Sequence, residues 1–130
     1  MKSAEEFHAF QAQTEKSLAL VETVLRKHQL KLAIENHKDY TTYELTAIMR
    51  RFSSEWIGVL VDTGNNIALL DEPHAAVESL APFAMSVHVK DMAVQPSDDG
   101  FLLSEVPLGT GVLDLPRIIS AAESQLKHRL

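Results

Sequence analysis

Three short strand-like segments that each carry a chemically active side chain at or near their end constrain this chain more than any other feature. Leu30 to Glu35 alternates and then turns apolar through Leu32, Ala33 and Ile34, before polarity arrives at Glu35, Asn36 and His37. Trp56 to Val61 is continuously apolar and gives way to Asp62, Thr63, Gly64 and Asn65. A third strand is expected over Met85 to Val89, running through His88 into Lys90 and Asp91. The continuous stretch from Trp56 to Val61 suits a parallel strand buried on both faces better than a half-exposed antiparallel one.

Helical patterns fill the intervals. From Ser3 to His28, Phe7, Phe10, Leu18, Val21, Val24 and Leu25 fall mostly at three- and four-residue steps, while Glu5, Glu6, Glu15, Lys16, Glu22, Arg26 and Lys27 take the other faces. Ser3 is the expected N-cap, with Glu6 at the capping-box position. Thr41 or Thr42 can cap a second helix with Leu45, Ile48, Met49 and Phe52 on its apolar face. Pro73 suits the first position of a third helix that carries Ala76, Val77, Leu80 and Phe83. A long loop with Pro96, Asp98, Asp99, Gly100, Pro107, Gly109 and Gly111 is expected next, then a closing helix from about Leu115, with Pro116 near its start.

The order helix, strand, helix, strand, helix, strand, loop, helix predicts an α/β fold with a parallel sheet covered by helices, in a single domain over 1–130. Three strands leave open edges with unpaired backbone groups, so part of a larger sheet is expected. The chain has 130 residues and no Cys, which excludes a disulfide framework and thiolate metal sites and makes a reducing, cytoplasmic setting the expectation. No apolar run approaches the ~20 residues of a membrane span, and the N-terminus lacks a signal pattern. With 12 Lys plus Arg against 18 Asp plus Glu, the net charge of −6 disfavours a nucleic-acid partner, leaving small molecules or proteins.

If the strands belong to an α/β barrel, their C-terminal ends form one face, and Glu35, Asp62 and His88 converge although roughly 25 residues separate each from the next. Two carboxylates and an imidazole form a hard donor set suited to Mn²⁺, Mg²⁺ or Co²⁺ and compatible with Zn²⁺. The competing roles are structural: Glu35 and Asp62 as helix caps or loop acceptors, His88 as a satisfied strand-end imidazole. Gly109 and Gly111 lack the spacing of a phosphate-binding fingerprint and instead suit a turn into the last helix.

The segments Ile34-Glu35-Asn36-His37, Val61-Asp62-Thr63-Gly64-Asn65, Val87-His88-Val89-Lys90-Asp91 and Pro107-Leu108-Gly109-Thr110-Gly111, followed by Asp114, resemble the xylose isomerase-like TIM-barrel family. That family includes sugar-phosphate isomerases and epimerases, ketose 3-epimerases, inosose dehydratases and endonuclease IV-type repair enzymes. The resemblance runs from about Leu30 to Arg117 and implies a partial (β/α)8 TIM barrel, its fifth, sixth and seventh strands with flanking helices. A whole barrel needs ~250 residues. The family's ligands match Glu35, Asp62 and His88; a fourth, a glutamate at the end of the eighth strand, is expected outside this chain. Glu105 is a nearby carboxylate that does not match that motif.

The activity implied is a divalent-metal-dependent sugar or sugar-phosphate isomerase or epimerase acting through an enediolate. Glu35 doubles as an acid/base in that chemistry. His37, Asn65, Lys90 and Asp91 are the implied substrate-binding residues, with Lys90 stabilising an oxyanion, carboxylate or phosphate and His37 bonding a hydroxyl. The competing roles are a solvated Lys90 paired with Asp91, and His37 as a loop cap. Where many relatives carry histidine three residues after the sixth-strand aspartate, Asn65 stands here, which favours carbohydrate chemistry over a three-zinc phosphodiesterase centre. Two further expectations compete: a noncatalytic remnant or subunit that associates through its open sheet edges, and a keto-polyol dehydratase or lyase sharing the enediolate step.

Overall fold

A computed structural model describes residues 3–126. Helix α1 (Ala4–His28) starts at Ser3, whose side chain accepts a hydrogen bond from the Glu6 N–H. Acidic Glu5 and Glu6 in its first turn and basic Arg26, Lys27 and His28 in its last complement the helix dipole. It ends at Gln29 in the left-handed region, and the Leu30 N–H closes on the Leu25 carbonyl. Leu30 is therefore spent on the helix end, and strand β1 (Leu32–Glu35) starts later than its apolar character suggested. Leu18 and Leu25 are buried, with Phe7 and Val21 packed beside them, whereas Phe10 stacks on Tyr40 at 5.5 Å between ring centres and Val24 is exposed.

Thr41, rather than Thr42, caps α2 (Thr42–Phe52) in a full capping box with Glu44. Thr42 is used differently: its N–H and hydroxyl both donate to Asp71 Oδ2, at 2.8 and 2.7 Å. Strand β2 (Ile57–Asp62) follows, then a 3-10 turn (Asn65–Leu69) and α3 (Pro73–Leu80), where Pro73 opens the helix and Glu72 accepts from the His74 and Ala75 N–H groups. A second 3-10 turn (Ala81–Phe83) delivers the chain to β3 (Ala84–His88).

These strands form a parallel sheet in the order β1-β2-β3. Leu32, Ile34, Ile57, Val59 and Val61 meet the helices in one core with Leu45, Ile48, Leu80 and Ile118. Alternation then places Glu35, Leu60 and Asp62 on the opposite face, the inner face of a barrel. The β2–β3 register slips between Val59 and Leu60: Val59 pairs with Ala84 and Leu60 with Ser86, leaving Met85 as an extra residue. Beyond this bulge Asp62 pairs with His88, which brings the imidazole to the inner face.

The long loop expected after β3 is instead largely a second, two-stranded antiparallel sheet. β4 (Asp91–Ser97) and β5 (Gly100–Val106) pair along their full length around a turn at Asp98 and Asp99. Pro96 argued against a strand, but in an isolated two-stranded ribbon a residue without an N–H is tolerated. Helix α4 (Leu115–Leu126) closes the described chain; Asp114 accepts from the Arg117 N–H, and Leu115, Ile118 and Ala122 are buried. No helix among the described residues is long and apolar enough to cross a membrane.

Candidate metal centre

Glu35, Asp62 and His88 come from the C-terminal ends of the three parallel strands and offer ligand atoms that all lie within 4.8 Å of one another. His88 Nδ1 is 3.0 Å from Asp62 Oδ2 and 3.8 Å from Glu35 Oε1. Glu35 and His88 are open to solvent on the inner face, whereas Asp62 is buried.

Asp62 is fixed from every side but one. Its Oδ1 accepts from the Gly64 and Asn65 N–H groups at 2.9 and 2.8 Å, closing a tight turn after β2. Its backbone N–H donates to Asn36 Oδ1 at 2.7 Å, and its carbonyl accepts from Asn36 Nδ2 at 2.9 Å. Asn36 also donates to Asn66 Oδ1, and Asn66 in turn donates to Thr42 Oγ1 and Asp71 Oδ2. Burial works to raise the Asp71 pKa, but the Thr42 N–H and hydroxyl and the Asn66 amide outweigh it and hold it below the ordinary carboxylate value. A chain of amides thus ties the β2 end to the start of α2. Sequence reasoning missed Asn66 and gave Asn36 no role; the only signal was an amide directly after each of two strand-end motifs.

Asp62 Oδ2 is the exception. It is buried and has no directed hydrogen bond, although His88 Nδ1 and Lys90 Nζ stand at 3.0 and 3.2 Å. A buried carboxylate oxygen rarely goes without a directed partner, and an oxygen left open toward an imidazole and a second carboxylate is what a divalent cation requires. The residues present therefore fit such an ion: Glu35, Asp62 and His88 would hold it.

Lys90 lies beside this cluster. Its Nζ donates to Asn65 Oδ1 at 2.8 Å and to Glu105 Oε1 at 3.1 Å, so its partners are not the Asp91 expected of a solvated loop lysine. Burial works to lower the Lys90 pKa, but Glu105 and Asp62 outweigh it and hold it above its ordinary value. Asn65 also donates to Glu35 Oε1 at 3.3 Å, so one buried amide orients both Glu35 and Lys90. The Thr63 hydroxyl accepts from the Lys90 N–H and donates to the Lys90 carbonyl, fixing that backbone. His37 lies exposed in the loop after β1, with no hydrogen-bond or ion-pair partner among the described residues.

Asp91 is not brought to the cluster, which corrects the expectation that it meets a substrate. It is wholly buried; Oδ1 accepts from the Met92 and Leu113 N–H groups and Oδ2 from Gly109 and Gly111. Burial works to raise its pKa, and the N–H groups of Gly111, Met92, Leu113 and Gly109 outweigh that and hold it below the ordinary value. The glycines serve this knot: Gly109 takes φ +84°, and a side chain at Gly111 would collide with the Asp91 carboxylate.

Helices over a parallel sheet, with two carboxylates and an imidazole at adjacent strand ends, define part of an α/β barrel with a candidate metal site. The chain belongs to the xylose isomerase-like TIM barrel family, whose model matches residues 2–125. It is 31% identical over 105 residues to 3-oxo-isoapionate decarboxylase of Pectobacterium atrosepticum, covering 77% of this chain and 38% of that protein. It is 28% identical over 83 residues to the uncharacterized protein YihM of Escherichia coli, covering 64% of this chain and 26% of that one. Its fold matches a xylose isomerase domain protein from Planctomyces limnophilus, with TM-score 0.76 and 19% identity over 88% of this chain and 42% of that one. A xylose isomerase-like TIM barrel protein from Mycobacterium smegmatis in complex with magnesium also matches, with TM-score 0.76 and 18% identity over 90% of this chain and 41% of that one. The chain spans well under half the length of these relatives, so the fold is a partial barrel.

Proposed function

We propose that this chain is the metal-binding portion of an enzyme that acts on a sugar, sugar phosphate or sugar acid through charge developed beside a carbonyl. The carrying observation is Asp62 Oδ2, buried without a directed hydrogen bond between Glu35 and His88. Mg²⁺ or Mn²⁺ suits the oxygen-rich set best, and the magnesium complex of the mycobacterial protein supports that choice. Held by Glu35, Asp62 and His88, such an ion would supply Lewis-acid polarisation of a substrate carbonyl.

The residues of this chain do the rest. Glu35 is the proposed group to move a proton at the substrate carbon, a reading supported by its exposure on the inner face and its hydrogen bond from Asn65. Lys90 offers its ammonium to a substrate oxyanion, carboxylate or phosphate, and exposed His37 offers a hydrogen bond to a hydroxyl. Isomerisation, epimerisation, dehydration of a keto-polyol and decarboxylation of a 3-oxo acid share the enediolate step. The decarboxylase relative makes 3-oxo sugar acids the first compounds to test beside keto and aldo sugars. The net charge of −6 keeps nucleic acid out of the proposal.

Calorimetric titration with Mn²⁺ of the chain and of an E35A/D62A/H88A variant tests this. Binding by the chain that disappears in the folded variant is expected; equal binding by both would overturn it. A second reading, a subunit that associates through its sheet edges, draws on β1 and β3, which lie at the two open ends of the parallel sheet. Concentration-dependent mass in sedimentation tests it, a strict monomer being the result against it.

A further inference from the structure

The candidate centre already contains a cation, and its position is unusual. Lys90 Nζ stands between two carboxylates, 3.2 Å from Asp62 Oδ2 and 3.1 Å from Glu105 Oε1, with Asn65 Oδ1 at 2.8 Å. Its backbone is pinned by Thr63, so only the side chain is free to change partners. Its contact with Asp62 uses the oxygen that a divalent ion would need, and it lacks the direction of a hydrogen bond. The contact with Glu105 is a proper hydrogen bond to a carboxylate that is largely exposed, on the far strand of the hairpin.

We propose that Glu105 is a positioning residue for Lys90: the ammonium is shared between Asp62 and Glu105 in the metal-free chain and passes wholly to Glu105 when a divalent ion takes Asp62 Oδ2, fastening the β4–β5 hairpin to the site. This deepens the metal reading above and rests on it. Two cations cannot share one carboxylate oxygen without strong repulsion, so the ammonium must move, and Glu105 is the carboxylate already in reach. Asn65 Oδ1 stays bonded to Nζ as it moves, so it serves as a pivot. The hairpin's base is tied to the segment that follows it, through Asp91 and through the Met92 carbonyl, which accepts from the Val112 N–H. Among the described residues, the Lys90–Glu105 pair joins β5 directly to the strand-end cluster, so metal loading and hairpin order become one event.

The test is Mn²⁺ titration of the full chain and its K90M, E105Q and K90M/E105Q variants, with circular dichroism confirming that each folds. K90M should tighten Mn²⁺ binding by about tenfold, because it removes the competing cation. E105Q should weaken it by about threefold to tenfold, because it leaves Lys90 with no alternative to Asp62. The double variant should match K90M, since Glu105 acts only through Lys90. In a separate arm, Mg²⁺ should slow amide hydrogen exchange across β5 in the parent chain and not in E105Q.

Weakening by E105Q that persists in the K90M background would make Glu105 a ligand or a bulk charge and overturn the proposal. Mn²⁺ binding unaffected by either single variant, or β5 exchange unaffected by Mg²⁺, would overturn it while leaving the metal reading intact. Failure of the parent and all variants to bind Mn²⁺ would overturn both.

Discussion

Asp62 and Asp91 are both buried carboxylates that accept backbone N–H groups just beyond a strand end or at its start, yet they do opposite things. Asp91 has both oxygens filled, by four N–H groups that gather the chain from Met92 to Leu113 around it. Asp62 has one oxygen filled, by Gly64 and Asn65, and the other held toward Glu35, His88 and Lys90 without a directed bond. A saturated carboxylate stores its charge in the fold, whereas a half-saturated one keeps part of it available. The second state costs stability, because a buried acceptor goes unsatisfied, and it persists here because Asn36 and the turn after β2 fix the carboxylate in place.

Asp91→Asn should break the comparison on the stability side with the largest effect. An amide keeps one acceptor oxygen but turns an N–H₂ toward donors that have lost theirs, so Tm measured by circular dichroism should fall by roughly 10 °C. Asp62→Asn should do the reverse. It retains the acceptor for Gly64 and Asn65, so Tm should shift by no more than about 3 °C, while Mn²⁺ affinity by calorimetry falls at least ~100-fold. If both variants lose Tm equally, the distinction between the two carboxylates is wrong.

Asn36→Ala should come next, with Mn²⁺ affinity reduced by about tenfold, because Asp62 loses the amide that fixes its backbone. The smallest effect is the pH dependence. The folded pKa of Asp91 lies below its ordinary value of 3.8, so its contribution is fully present above that value and is lost as the pH falls through the lower, folded pKa. Asp71 adds to stability in the same direction. Tm followed from about pH 6 to about pH 3 should therefore drop more shallowly in D91N than in the parent chain.

Much of this site was legible because parallel strands announce their ends: Ile34-Glu35 and Val61-Asp62 each pass from apolar to acidic in one step. The same pattern could not separate His88 and Lys90 from Asp91, which share one polar run but face different surroundings. Three of the four donors to Asp91 lie 18 to 22 residues downstream, a separation at which local patterning is silent. Asn36 and Asn66 read as ordinary loop polarity for the same reason, their bond closing across 30 residues. The hairpin escaped because its outward-facing residues show weak alternation and Pro96 argued against a strand, although the turn chemistry of Asp98, Asp99 and Gly100 was present.

Met85 is neither a ligand nor a large part of the core, yet it sets the parity of β3. Side chains in a strand take turns between two sides, so one additional residue exchanges every later occupant of each side. If Met85 paired with Leu60 in an unbroken register, Val87 would stand opposite Asp62 and the imidazole would be turned into the helix layer, among Val59 and Val61. Pairing Met85 in register instead of bulging it out would thus take the nitrogen donor out of the centre without altering any of its three candidate ligands. The make-up of a strand-end site can be written in a pairing register as firmly as in the residues themselves.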